Sequence, residues 1–114
     1  MIVNLTYLEQ ITDGDREMLL EMLDLFIRDI PIHMKKIQDS YSASNFEEIR
    51  REAHKMKPTL QYVGLTGMSE KIKELEQLAK SKENLNKLSN LIDELQDASN
   101  ICVPALVAKK AELS

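Results

Sequence analysis

The sequence predicts an all-α protein, an up-down-up-down antiparallel four-helix bundle with a short N-terminal helix. Apolar residues recur at helical spacing over several long segments, and no segment alternates apolar and polar residues over a strand's length. Leu, Ile, Met, Glu and Lys dominate the composition, with only 3 Gly and 3 Pro. The helical segments are joined by short stretches, which is typical of antiparallel neighbours in a bundle.

The first part of the chain is predicted to form a short helical turn followed by one long, bent helix. The turn covers residues 5–10. After a break, Asp13 or Asp15 is expected to cap a helix over residues 15–41, because its carboxylate accepts backbone N–H groups. Pro31 interrupts the apolar face of this helix, and its ring crowds the preceding turn, so we expect a kink there.

Three shorter helices complete the predicted bundle, over residues 45–62, 66–80 and 84–101. Ser44 or Asn45 is the expected N-cap of the first, since glutamates follow at the capping-box spacing. Gly64 is a natural end for that helix. Pro104 stops or bends the last helix, and the tail over residues 103–114 carries weak signals of order.

Composition indicates one globular domain, expected over residues 1–114 with its core over about 5–102, since 43% of the chain is apolar. The net charge of −4 gives no bias toward nucleic acid. No apolar run approaches the roughly 20 residues that span a bilayer, and the first residues lack the features of a signal peptide. A single cysteine, Cys102, excludes an internal disulfide framework. These features predict a cytoplasmic protein that binds neither nucleic acid nor membranes.

The most informative residue is His54, which lies off the apolar stripe of its predicted helix. That stripe consists of Phe46, Ile49, Ala53, Met56, Leu60 and Val63. At about 100° per residue, His54 points roughly 130° away from the centre of the stripe, and Arg50, Lys57 and Gln61 lie within about 60° of it. An exposed imidazole among cationic side chains is suited to carrying an anionic group, because neutral imidazole is a nucleophile near pH 7. This is the chemistry of a phosphorylated histidine.

These residues resemble the histidine-containing phosphotransfer (HPt) domains of phosphorelays, and the resemblance covers nearly the whole chain. The family motif His-x-x-Lys-Gly, usually preceded by Ala, reads here as residues 53–58. Residues 62–65 match the family's usual helix end, and Pro31 fits its bent preceding helix. The family also places Gln or Glu on the next helix, facing the imidazole, and that position is Glu76 here.

The resemblance implies a role for each residue of the site. His54 Nε2 would attack the aspartyl phosphate of a receiver domain, and Glu76 would accept a hydrogen bond from Nδ1–H, fixing the tautomer. Lys57 would offset the phosphoryl charge, and Arg50 and Gln61 are lesser candidates for contacting the phosphoryl group or the partner.

The implied partners are response-regulator receiver domains and a hybrid histidine kinase. The domain would be a phosphohistidine carrier, not an enzyme, and it would need no cofactor, since the Mg²⁺ would belong to the receivers. Lys55 is interpreted as a solvated charge that can help steer an acidic receiver. One departure is Pro58 in place of the family's glycine, at a position where the resemblance implies contact with the partner. Proline is compact, so it leaves access to the histidine, but it cannot donate to the His54 carbonyl, and we expect a local kink there.

The remaining residues are given simpler interpretations, and two alternative functions stay open. His33 has no comparable constellation and is interpreted as a surface or boundary residue, and its spacing from His54 is not that of metal ligands, so no metal site is predicted. No Gly-rich phosphate loop is present. A second hypothesis is a helical-bundle adaptor, a degenerate HPt domain in which Pro58 removed the chemistry and which binds receiver or kinase domains. A bundle with a membrane-facing helix is a weaker alternative, because the chain is acidic.

Overall fold

The computed structural model describes residues 3–114. Met1 and Ile2, which belong to the segment examined for a signal peptide, lie outside the described residues. The described chain forms α1 (Thr6–Ile11), α2 (Arg16–Ser42), α3 (Phe46–Tyr62), α4 (Thr66–Ser81) and α5 (Leu85–Leu113). No strand occurs within residues 3–114. The predicted all-α class is confirmed.

The four long helices form a closed ring in chain order. Three residues connect each pair, over 43–45, 63–65 and 82–84, which places consecutive helices side by side and antiparallel. Sequential helices pack on each other, and α5 returns against α2. The 29 residues of α5 are about 43 Å long at 1.5 Å per residue, which accounts for the longest dimension of the molecule, 44 Å.

Side-chain and backbone caps fix where the helices begin and end. The Asp15 side chain accepts a hydrogen bond from the Met18 N–H at 3.0 Å, so Asp15 caps α2. Asn45 does the same for α3 at 3.1 Å. Gly64 follows the C-cap of α3 with φ +70°, and a Cβ there would lie 2.6 Å from the Asn4 carbonyl oxygen. Glycine is therefore required where the N-terminal segment crosses the end of α3.

The prediction that the last helix ends near residue 101 is wrong. The helix α5 continues through Pro104 to Leu113. The reason is burial, because Cys102 and Leu106 extend the apolar stripe and are fully buried. Lys110 Nζ also lies 2.5 Å from Asp24 Oδ1 of α2. Burying this stripe offsets the roughly 3 kcal/mol that an interior proline costs a helix.

All three prolines lie inside helices and are exposed. None of them ends its helix, because the carbonyl four residues earlier can be hydrated at an exposed position. The kinks expected at Pro31 and Pro58 stay predictions.

One apolar cluster runs through the centre of the ring. Its fully buried large side chains come from all five helices: Leu8, Leu23, Ile30, Met34, Ile37, Ile49, Met56, Leu60, Ile72, Leu75, Leu88 and Ile92. No helix within residues 3–114 has both the length and the apolar character needed to cross a membrane. The core holds α3 between α2 and α4, so one side of α3 faces α2 and the other faces α4.

Candidate functional site

His54 lies on the solvent side of α3. The neighbouring positions Ala53 and Met56 are fully buried in the core, whereas 67% of the His54 side chain is exposed. Because the apolar stripe fixes how α3 is rotated, it also fixes the direction in which the imidazole points. The amphipathic pattern therefore delivers an accessible histidine in the middle of a rigid helix.

A carboxylate from the next helix contacts this imidazole. Glu76 of α4 places its Oε1 3.3 Å from His54 Nδ1. Its other oxygen, Oε2, lies 3.0 Å from Lys57 Nζ, one helical turn beyond the histidine. The structure thus brings His54, Lys57 and Glu76 into one cluster across the interface between α3 and α4.

The charge of Glu76 depends on two opposing effects. Partial burial raises the pKa of this carboxyl, but hydrogen bonds from Lys57 and His54 outweigh burial, so its pKa lies below the ordinary value. Glu76 is therefore ionised at neutral pH. An ionised carboxylate can only accept a hydrogen bond, so the His54 nitrogen that faces it must carry a proton.

This contact determines which nitrogen can act as a nucleophile. A neutral imidazole has one N–H, and the Glu76 carboxylate places it on Nδ1. The lone pair is then on Nε2, on the far side of the ring from the carboxylate. The arrangement can carry an electrophilic group on Nε2 while the carboxylate offsets the positive charge that develops on the ring.

The other basic candidates are paired elsewhere. The guanidinium of Arg50 hydrogen-bonds the Glu47 carboxylate on its own helix, and this bond lowers the pKa of Glu47. Lys55 Nζ lies 3.3 Å from Glu52 Oε1. Neither cation is hydrogen-bonded to the His54–Glu76 pair, so among the basic residues of the described range 3–114 only Lys57 joins His54 on Glu76.

Two further predicted residues lie along α3 toward its C-terminal end. Pro58 is exposed within the helix, and its missing N–H leaves the His54 carbonyl oxygen without the usual helical donor. Gln61 is exposed near the end of α3 and lines a shallow cavity with Thr66 and Lys73 of α4.

The structure also shows a pair that the sequence analysis missed. Glu52 of α3 is fully buried, and its Oε2 lies 2.7 Å from Nδ1 of His33 on α2. The sequence does carry a signal for this pair, because both residues lie on the helix faces where apolar side chains are expected. Within α2, His33 adjoins the buried residues Ile30, Met34 and Ile37.

Glu52 occupies the same register within α3, next to Ile49, Ala53 and Met56. A polar residue at such a position needs a partner when buried. Polar residues at such positions on two facing helices, here His33 and Glu52, are therefore expected to be each other's partners. Among residues 3–114, no group of three or more His, Cys, Asp or Glu side chains is placed to hold a metal ion.

The geometry defines a class of protein, namely a helical bundle that presents an exposed histidine backed by a carboxylate. Comparison with known proteins then identifies the family. The chain matches the Hpt domain family over residues 21–100, and it belongs to that family of histidine-containing phosphotransfer domains. Its role is accordingly in histidine phosphotransfer within phosphorelays.

A solved structure shares this fold. The chain is similar to the histidine-containing phosphotransfer protein B (HptB) of Pseudomonas aeruginosa PAO1, with a TM-score of 0.86 and 19% sequence identity. The match covers 96% of this chain and 95% of the other. No curated protein matches the sequence. At this identity the structural likeness establishes the fold, and the roles of individual residues must be argued from the site itself.

Proposed function

We propose that this domain carries a phosphoryl group on His54 Nε2 between the aspartates of two receiver domains. The observation that supports this best is the contact of Glu76 with His54 Nδ1 at 3.3 Å on an imidazole that is 67% exposed. This contact orients the ring so that Nε2 lies on the edge away from Glu76.

The reaction is a displacement at phosphorus. The Nε2 lone pair forms a bond to the phosphorus of an aspartyl phosphate as the bond from phosphorus to the aspartate oxygen breaks. The aspartate leaves as a carboxylate with the electron pair. The proton on His54 Nδ1 stays in its hydrogen bond to Glu76, so no proton has to be moved.

Local charges stabilise the phosphorylated ring. Phosphorylation of Nε2 makes the imidazole cationic, and the Glu76 carboxylate lies next to that charge. Lys57 shares Glu76 with His54, so its ammonium group is already at the site when the phosphoryl group arrives. A cation there favours an anionic phosphoryl group.

The partners follow from this chemistry. Receiver domains would supply the aspartyl phosphate, the acceptor aspartate and the Mg²⁺ that assists transfer, and a hybrid histidine kinase would be the upstream source. The domain itself is a carrier, and its own residues supply orientation and charge.

The test is phosphoryl transfer from a phosphorylated receiver domain to the wild type and to His54→Gln. We expect acid-labile, alkali-stable labelling of the wild type and none of the variant, because glutamine has no nucleophilic ring nitrogen. Asn90→Gln, a change at an exposed position of α5, is a matched control that should label like the wild type.

Circular dichroism provides the fold control, since removing an exposed imidazole should leave helicity unchanged. Labelling of His54→Gln by the receiver would contradict the proposal. Binding of receivers without labelling of the wild type would also contradict it and would support the adaptor function. Pro58→Gly would then be the first variant to test for recovered labelling.

A further inference from the structure

The His33–Glu52 pair repeats the construction of the His54–Glu76 pair on the other side of α3. Each histidine is followed three residues later by a lysine, Lys36 and Lys57 respectively. In each pair the imidazole Nδ1 meets a glutamate carboxylate from the adjacent helix. The spacing matters because residues three apart lie on the same face of a helix.

Glu52 also lies close to cationic side chains, as Glu76 does. Glu52 Oε1 lies 3.3 Å from Lys55 Nζ and 4.0 Å from Lys36 Nζ. Burial raises the pKa of Glu52, but hydrogen bonds from His33 and Lys55 outweigh burial, and its pKa lies below the ordinary value. The carboxylate is therefore ionised, and it places the proton of neutral His33 on Nδ1.

The difference between the pairs is access. Glu52 is fully buried and 18% of the His33 side chain is exposed. Because Nδ1 is directed at the buried carboxylate, Nε2 is on the edge of the ring away from it. Lys36 and Lys55 are more than half exposed and pair with the Glu52 carboxylate, so two ammonium groups lie beside the pair and would attract an anionic group on the ring.

We propose that His33 is a second phosphoryl-accepting histidine, modified on Nε2 by small phosphoryl donors such as phosphoramidate. This inference extends the proposed function, since it assigns the same reaction to a second site. A small donor fits the limited exposure of His33, whereas the exposed His54 is the site that a folded receiver domain can reach.

The reaction with phosphoramidate is balanced without any further reactant. The Nε2 lone pair of neutral His33 forms a bond to phosphorus, and the bond from phosphorus to the donor nitrogen breaks. That nitrogen, protonated in the donor, leaves as ammonia. The ring keeps its Nδ1 proton and becomes cationic, and the ionised Glu52 carboxylate offsets that charge.

The experiment treats the full chain with phosphoramidate and measures phosphoryl groups per molecule by intact mass spectrometry under alkaline conditions. Wild type, His33→Gln, His54→Gln and the double variant are compared. We expect the wild type to gain two phosphoryl groups, each single variant one, and the double variant none. Fragmentation of the labelled His54→Gln protein should place its phosphoryl group on His33.

A further variant separates chemistry from folding. Glu52→Gln keeps the size of the side chain but removes the charge opposite the ring, so it should slow labelling of His33 and leave labelling of His54 at the wild-type rate. Circular dichroism and the labelling of His54 report whether each variant is folded.

Two results would overturn the inference: no labelling of folded His54→Gln, or labelling of that variant on a residue other than His33. The first would make His33–Glu52 a purely structural link between α2 and α3. Because the donor is a small molecule, failure here is distinct from failure of receiver-driven transfer to His54.

Discussion

The His54–Glu76 pair and the His33–Glu52 pair lie on nearly opposite sides of α3. Glu52 and His54 are two positions apart, about 200° on a helical wheel. Glu52 therefore faces α2, and His54 lies on the side of α4. Both pairs join an imidazole Nδ1 to a carboxylate, at 3.3 Å and 2.7 Å respectively. In one pair the histidine is mostly exposed, and in the other the glutamate is fully buried.

The same residue types contribute differently to the two pairs because their burial differs. A buried ionised group destabilises the fold strongly when it loses its partners, whereas an exposed group can be hydrated. We therefore expect the α2–α3 pair to affect stability and the α3–α4 pair to affect phosphoryl transfer from receiver domains.

The largest effect is expected from removing the support that both pairs share. Ile49 is fully buried on α3, and Ile49→Ala should lower the free energy of unfolding by about 2–5 kcal/mol. Ile101→Ala, at an exposed position of α5, is the matched control and should change it by less than about 0.5 kcal/mol. Urea denaturation measures both, and equal effects would show that α3 is not anchored as described.

The second prediction separates the two glutamates. Glu52→Gln should cost about 1–3 kcal/mol of stability, because it removes charged hydrogen bonds from a buried site. Glu76→Gln should cost less than about 1 kcal/mol, since its partners His54 and Lys57 can turn to water. The same denaturation experiment checks this order, and the reverse order would contradict the assignment of structural weight to the α2–α3 side.

The third prediction concerns transfer. Glu76→Gln should slow phosphoryl transfer from a receiver by about tenfold, which corresponds to about 1.4 kcal/mol of lost charge stabilisation. Glu74→Gln is the control on the same helix, because Glu74 pairs with Lys87 of α5 and not with His54. Transfer reactions stopped at a series of times measure the rates of both variants. Equal rates for Glu76→Gln and Glu74→Gln would show that Glu76 does not take part in transfer.

The smallest expected effect is the pH dependence of the Glu52 contribution. The pKa of Glu52 is lowered in the folded protein, so its ionised form stabilises the fold above the unfolded value of about 4.3. That contribution is lost as the pH falls through the lower, folded pKa. The stability difference between the wild type and Glu52→Gln should therefore shrink below about pH 5. A difference that grows on acidification would be opposite in sign to this account.

Much of the fold could be predicted from the sequence, because local signals determine it. Helical periodicity gave the four long helices, and Asp15, Asn45 and Gly64 carried recognisable cap signals. The end of α5 could not be predicted, since Pro104 is a local signal to stop and the burial of Leu106 against the bundle is a tertiary effect. Burial outweighed the cost of the proline.

The candidate site divides in the same way. The direction of His54 follows from the apolar stripe of α3, and the position of Glu76 was suggested by resemblance to a family. The pairing of Arg50 with Glu47 depends on side-chain geometry that spacing alone does not select. The contact between His33 and Glu52 joins two helices, so it can be predicted only when polar residues on the apolar stripes of both helices are considered together.

The closing of the ring by α5 against α2 has a consequence for folding rates. The contacts α2–α3, α3–α4 and α4–α5 join neighbours across three-residue connections and can form early, whereas α2 and α5 are far apart along the chain and meet at a greater loop-closure cost. The last three turns of α5 extend this late contact. Interactions formed after the folding transition state chiefly slow unfolding, so residues 103–113 should lengthen the lifetime of the native bundle more than they speed its formation.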